Sequence, residues 1–241
     1  MQIRIGCSGW YYPHWAGKFY PSSMNRKEWF RYYSEKFETV EINSSFYSFP
    51  DKKRVKSWTN NAPDNFIFSV KMNRIITHIK RLNGCDDEIS RFYEVVSSLG
   101  NRLGCILYQF PPSFSYSHDN IVLIDNALNH NFCNTVEFRN RSWFSEAARL
   151  DLENSDLHVV AVSSERIPLW LKEDSIIYVR LHGNVNGYAT DYDKDYLMDL
   201  AHRIIALNPE TVYVYFNNDY GGYAPKNAEM LKSIIEGLIM K

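Results

Sequence analysis

The sequence predicts an α/β fold, a single TIM-like (β/α)8 barrel spanning residues 1–241, on three observations. Eight short apolar runs end in polar or charged residues, and a helix-like segment usually follows each. The units recur about every thirty residues, a spacing that suits βα repeats, and no residue motif recurs between them as in a solenoid. No Pro/Gly/Ser-rich linker or shift in composition divides the 241 residues, so one domain is expected. Eight parallel strands close a barrel, and barrel chemistry lies at their carboxyl ends.

The first run, IRIG at residues 3–6, leads into Cys7 and Ser8 and then an aromatic loop from Trp10 to Tyr20. A helix is expected from about Asn25 to Phe37, because Trp29, Tyr32, Tyr33 and Phe37 recur at helical spacing. TVEIN at 39–43 leads through Phe46, Tyr47 and Pro50 to a helix opening at Asp51, a good N-cap. FIFSV at 66–70 runs into Lys71, a basic loop over 73–81, and a helix from about Asp86 to Leu99 that stops at Gly100. CILYQ at 105–109 meets Phe110-Pro111-Pro112, which forbids an immediate helix, so its helix begins near Asp119. Asn134 to Arg139 is the fifth strand, with a helix from Ser142. The sixth, Leu157 to Val162, ends at Ser163-Ser164 with a weak, short helix after it. IIYVRLH at 176–182 precedes a Gly/Asn loop and a helix from Asp193 to Leu207. VYVYF at 212–216 runs into Asn217-Asn218-Asp219 and Gly221-Gly222, and the final helix starts near Pro225.

With 45% hydrophobic residues the chain has ample material for a core. Its net charge of -1 and pI near 6.7 give no global attraction to nucleic acid or acidic membranes, so any anion site must be local. The first apolar run is too short for a signal-peptide core and no later stretch approaches a membrane span, so a cytoplasmic protein is expected. Cys7, Cys85, Cys105 and Cys133 are widely spaced with no C-x-x-C pair and read as reduced thiols.

Residues two apart on a strand share a face, so Glu41 with Asn43, Glu137 with Arg139, and Arg180 with His182 project together. The opposite parity (Val40, Ile42, Val136, Phe138, Val179 and Leu181) is apolar and suits the layer packed on helices. The charged parity then faces the barrel axis, where an ionised group persists only when paired or met by a ligand. For Glu137 and Arg139 the simpler reading is a mutual ion pair. Lys71 at a strand mouth suits a Schiff-base nucleophile, general acid or fixed cation; the simpler reading is a solvated lysine. His78, Lys80 and Arg81 form a basic loop able to fold over an anion, or merely a solvated face. His182 is the best placed of the histidines.

The loops after the last two long strands, HGNVNGYA and NNDYGGYAPKNA, suit phosphate, with Gly221 and Gly222 allowing close backbone approach and Lys226 and Asn227 adding donors. A glycine turn before an ordinary helix start fits them equally. Trp10, Tyr11, Tyr12, Trp15, Phe46, Tyr47, Tyr188, Tyr220 and Tyr223 crowd the predicted loops, where aromatic faces stack on sugars or bases or plug a barrel mouth. There is no H-E-x-x-H, no Cys/His pair at ligand spacing, no P-loop, no G-x-G-x-x-G and no G-x-S-x-G. No metal and no cofactor is expected.

IGCSGWYYPHWAGKFYP, FETVEINSSFYSFP, FSVKMNRIITHIKRL, LGCILYQFPPSF, TVEFRNRSW, YVRLHG and VYVYFNNDYGGYAPKNA occur in that order. Together they resemble the YecE-like family, domain of unknown function 72, over nearly the whole chain. The resemblance implies a TIM-like (β/α)8 barrel. At matching positions the family pattern carries Gly9, Trp10, Glu41, Asn43, Tyr47, Lys71, His78, Lys80, Gln109, Glu137, Arg139, Trp143, Arg180, His182, Asn217, Asn218, Pro225 and Asn227. The resemblance implies an aspartate at the end of strand six, where this chain has Ser163-Ser164. The resemblance fixes no reaction.

The expected function is a metal-independent barrel enzyme acting on a small hydroxylated anion, such as a sugar phosphate or nucleotide-derived molecule, by isomerase-like proton transfer or hydrolysis. Glu41, Lys71, Glu137 and His182 are the catalytic candidates. Trp10, Asn43, Tyr47, His78, Lys80, Gln109, Arg139, Arg180, Asn217, Asn218 and Asn227 are the substrate-binding ones. The alternatives are a metal-dependent phosphodiesterase or nuclease, with nucleic acid as a less favoured partner, and a non-catalytic ligand-binding barrel. No membrane partner is expected.

Overall fold

Apolar alternation and capping residues divide the chain into nine strands and eight α-helices among residues 1–239, which the computed structural model describes. The strands are β1 (Gln2–Cys7), β2 (Thr39–Ile42), β3 (Ile67–Lys71), β4 (Leu103–Gln109), β5 (Asn134–Glu137), β6 (His158–Val159), β7 (Ala161–Ser164), β8 (Ile176–Gly183) and β9 (Thr211–Phe216). The helices are α1 (Trp29–Lys36), α2 (Ser44–Tyr47), α3 (Lys52–Thr59), α4 (Asp86–Val96), α5 (His118–Ala127), α6 (Glu146–Glu153), α7 (Lys194–Ala206) and α8 (Tyr223–Ile239). The fold is α/β with parallel strands, as the sequence predicts. Among the described residues the ladders form two sheets, ordered β1-β9-β8-β7 and β2-β3-β4-β5-β6, rather than one closed ring of eight. No helix among these residues is long and apolar enough to cross a membrane.

The chain divides into two compact units, one made of Met1–Glu41 with the chain from Ala161 onward, the other of Ile42–Val160. In the first unit, β1 is in register with β9 from Gln2 opposite Thr211 to Cys7 opposite Phe216, and β8 from Ile176 opposite Thr211 to Leu181 opposite Phe216. Cys7, Phe216 and Leu181 are therefore level, and the residues just past them share one end of the sheet. Leu197, Leu200, Ala201 and Ile204 of α7 and Leu231 and Ile235 of α8 recur at helical spacing and are buried. An aromatic cluster fills the space between the first loop and α1, where Tyr20 stacks on Trp29 with centroids 4.8 Å apart. Gly6 is a contact point, since a Cβ there would stand 2.3 Å from Thr39 O.

In the second unit, β4 and β5 run in register from Ile106 opposite Asn134 to Gln109 opposite Glu137. Phe66, Phe68, Val70, Ile106, Tyr108, Val136, Phe92 and Val96 are buried. Phe138 stacks on Trp143 at 3.8 Å, and Trp143 Nε1 donates to Phe114 O at 2.8 Å, so this buried indole keeps its hydrogen bond.

Side-chain caps set several helix starts. Asp51 accepts from Arg54 N at 2.7 Å and Ser117 from Asn120 N at 3.2 Å, while Asp193 accepts from Tyr196 N at 2.7 Å. Three expectations change. The expected sixth strand is divided at Val160 into β6, paired with β5, and β7, paired with β8. No helix follows it, because Ser164 Oγ accepts from Ile167 N at 3.1 Å in a local turn and Pro168 lacks a helix donor. The helix expected to reach Leu99 ends at Val96 and continues as a 3-10 segment, Ser97–Arg102, with Gly100 at φ 59°.

Candidate functional site

Each unit carries a buried polar network at the carboxyl ends of its strands. In the first unit, alternation along β8 sets Tyr178, Arg180 and His182 on one face and the fully buried Val179 and Leu181 on the other. All three meet a polar environment. The fully buried carboxylate of Glu41 accepts from Arg180 Nη2 and Ser8 Oγ on Oε1, each at 2.7 Å, and from the Tyr178 hydroxyl on Oε2 at 2.7 Å. Burial alone pushes a carboxyl pKa up. Here the Arg180 charge and the hydrogen bonds from Arg180, Tyr178 and Ser8 outweigh it and hold Glu41 below its ordinary value.

His182 continues this chain. Its Nε2 lies 3.3 Å from Arg180 Nη1 and its Nδ1 lies 2.8 Å from the Asn217 amide. A guanidinium only donates, so Nε2 accepts in the first contact, and the atom of Asn217 that faces Nδ1 is Nδ2. Tyr188 stands edge-on to the imidazole at 5.9 Å. Gly183 follows at φ 100°, and a Cβ there would lie 1.5 Å from Gly187 O, so glycine is required where the chain turns away from His182.

In the second unit, three successive strands deliver Lys71, Gln109 and Glu137. Lys71 Nζ donates to Gln109 Oε1 and Gln109 Nε2 donates to Glu137 Oε1, both at 2.7 Å, and Arg139 Nε ion-pairs with the same carboxylate. Glu137 is fully buried, Lys71 is 8% exposed and the Arg139 side chain 22% exposed. Lys71 Nζ also sits 4.1 Å from the Phe46 ring centroid, a cation–π contact. Ser45 Oγ fixes the strand end by donating to Lys71 O at 2.6 Å, and Asn73 Nδ2 donates to Ser45 O at 2.8 Å. The half-buried His78 lies in a π-helical turn, Ile75–Ile79, edge-on to Phe46 at 4.9 Å. Burial lowers its pKa to about 4, helped by the Lys71 and Arg139 charges against the opposing pull of Glu137. The arrangement sets two cations, Lys71 and Arg139, around the buried Glu137 carboxylate.

The remaining sequence-predicted residues are placed as follows. Asn43 lies past the end of β2 in helical backbone, so the parity that paired it with Glu41 stops at Ile42. Arg139 also lies beyond its strand, yet meets Glu137 in the simpler ion-pair reading. Lys80 is held away from the Lys71 network by bonds to Gly84 O at 2.8 Å and to Glu88. Trp10 packs on Phe30 at 4.8 Å, and Tyr47 is 71% exposed beside Phe46. Asn218 and Asn227 are fully buried fasteners. Asn218 Nδ2 donates to Thr190 O and to Asn227 Oδ1, each at 2.8 Å, and Asn227 Nδ2 donates to Asp191 Oδ1 at 2.9 Å. Lys226, expected to add a donor for an anion, bonds Asp191 Oδ2 at 2.5 Å.

Ser8 and Tyr178 were missed. The alternation that singled out Arg180 and His182 also includes Tyr178, one step earlier; nothing marks Ser8 beyond its place after β1. Ser163 meets Tyr192 OH at 2.9 Å and accepts from Tyr196 OH at 2.7 Å. Among the described residues no three His, Cys, Asp or Glu side chains gather as metal ligands.

The family model described as "Protein of unknown function DUF72" matches residues 4–238. UPF0759 protein YunF of Bacillus subtilis (strain 168) is 27% identical over 271 residues, covering 97% of this chain and 95% of that protein. UPF0759 protein YecE of Escherichia coli (strain K12) is 30% identical over 112 residues, 46% of this chain and 39% of that one. The crystal structure of a DUF72 family protein from Thermotoga maritima MSB8 superimposes with a TM-score of 0.84 at 26% identity, covering 98% of this chain and all of that one.

Proposed function

We propose that this chain, which belongs to the DUF72 family, is an enzyme of one domain over residues 1–241 that binds a small hydroxylated anion, a sugar phosphate or nucleotide-derived molecule, and moves a proton without a metal. The observation that carries this reading is the array Lys71–Gln109–Glu137–Arg139 at the ends of three neighbouring parallel strands. Two cations held mostly out of water favour an incoming anion far more than surface lysines do. Gln109 links Lys71 to Glu137, so the charge that binds and the carboxylate that accepts a proton are set at fixed distances. Glu137 is the general base or acid of the reading, in isomerase-like transfer or hydrolysis. Glu41, with both oxygens engaged, acts as a positioning group for Arg180 and His182.

Thermal-shift screening of the full chain with inorganic phosphate, sugar phosphates and nucleotides tests this. A ligand at a hundred times its Kd adds about 2.7 kcal/mol to folding and raises Tm. The expected result is stabilisation by at least one phosphate that Lys71→Met abolishes, while Glu137→Gln keeps the stabilisation and loses turnover. Absence of stabilisation by every phosphate tested overturns the reading.

A further inference from the structure

β4 and the residue just before β5 bring two cysteines side by side. Ile106 lies opposite Asn134 and Leu107 opposite Thr135, so one step back Cys105 lies opposite Cys133; Ile106 N donates to Cys133 O at 2.8 Å. Neighbouring strands are about 4.8 Å apart, within the roughly 4.4–6.8 Å between Cα atoms that a disulfide spans. Level residues on neighbouring parallel segments point to the same face. Both cysteines are reduced, Cys105 fully buried and Cys133 half-buried. Cys7, at the end of β1, and Cys85, before α4, have no such placement.

We propose that Cys105 and Cys133 are a thiol modification site, a cross-strand pair that closes reversibly to a disulfide when it meets an oxidised low-molecular-weight thiol. Cys133, the more accessible, loses its proton to solvent and attacks one sulfur of the small disulfide. That S–S bond breaks, one small thiol leaves, and a mixed disulfide forms. Cys105 then gives up its proton, attacks the Cys133 sulfur and expels the second small thiol. Two protein thiols have lost two electrons and one small disulfide has become two thiols. Burial holds the Cys105 thiol well above its ordinary pKa, which makes it the slower, resolving partner.

The placement gives the modification a target. Cys105 shares strand parity with Gln109, four residues further along β4 and so about 13 Å away, and Cys133 lies just before β5, which ends at Glu137. A closed bridge pins the register of the two strands that carry the Gln109 to Glu137 hydrogen bond.

The test uses the folded, full-length protein in mixtures of reduced and oxidised glutathione, followed by rapid alkylation and peptide mapping by mass spectrometry. The expected product is a Cys105–Cys133 linked peptide lacking two hydrogens and restored by dithiothreitol, with Cys7 and Cys85 alkylated only after unfolding. Cys105→Ser should trap glutathione on Cys133, and Cys133→Ser should leave Cys105 unmodified. The proposal is overturned when the folded wild-type chain shows no linked peptide under oxidising mixtures, when the link involves Cys7 or Cys85, or when glutathione stays on Cys133 with Cys105 present. The wild-type mapping decides the matter even where a variant fails to fold.

Discussion

A carboxylate removed from water is tolerated only while its donors stay in place, and Glu41 has three of them within 2.7 Å. Removing its cation leaves an uncompensated buried charge, which costs about 3–5 kcal/mol. Arg180→Met should therefore lower the unfolding free energy by about that amount, and adding Glu41→Gln should recover a large part of it, read from urea titrations of the single and double variants. A loss below about 1 kcal/mol in Arg180→Met would place the pair among weakly contributing ion pairs. At this scale the sequence was half legible. Alternation on a strand shows which side chains share a face, so Arg180 and His182 were found. It says nothing about partners 137 and 139 residues distant, and the Tyr178 and Arg180 bonds to Glu41 are of that kind.

At the scale of elements, the turn after β8 depends on one backbone position. Gly183→Ala puts a methyl group into Gly187 O at a φ that side chains rarely adopt. We expect Gly183→Ala to destabilise the chain by at least about 1–3 kcal/mol and to disturb the Asn217 to His182 contact, visible as a shifted His182 imidazole resonance. Unchanged stability and an unchanged resonance would show that the loop repacks without cost. Strand positions and caps at Asp51 and Asp193 were readable because periodicity and capping are local. The division of the sixth strand at Val160 was not, because HVVAV is apolar throughout and pairing partners decide where it breaks. The same limit explains Asn43 and Arg139, where period-two reasoning ran past the end of the strand.

For the whole molecule, His78 ties stability to pH in a separate window. Its folded pKa of about 4 lies below its ordinary 6.5, so the unfolded chain binds the proton more readily. Its contribution is fully present above pH 6.5, declines as pH falls, and levels off below about 4. The unfolding free energy of the wild-type chain should fall across that interval, and His78→Gln should flatten the profile there. The Glu41 contribution, whose folded pKa lies below its ordinary 4.5, declines only in more acidic solution. Parallel profiles for the wild type and His78→Gln would remove His78 as the source. The α/β class was legible because eight apolar runs with interleaved helical segments leave few topologies, whereas the grouping of the strands into two ladders depends on pairings that no single run encodes.

The pairing of β1 with β9 has a consequence during synthesis. Gln2 lies opposite Thr211, so β1 has no partner in its sheet until β9 has left the ribosome. The residues from Ile42 to Val160 are complete well before that. At about 5–20 residues per second, on the order of ten seconds or more separates synthesis of the aromatic segment from Trp10 to Tyr20 from that of β9. That interval, rather than the finished structure, is when this part of the protein is most open to chaperones and to unwanted association.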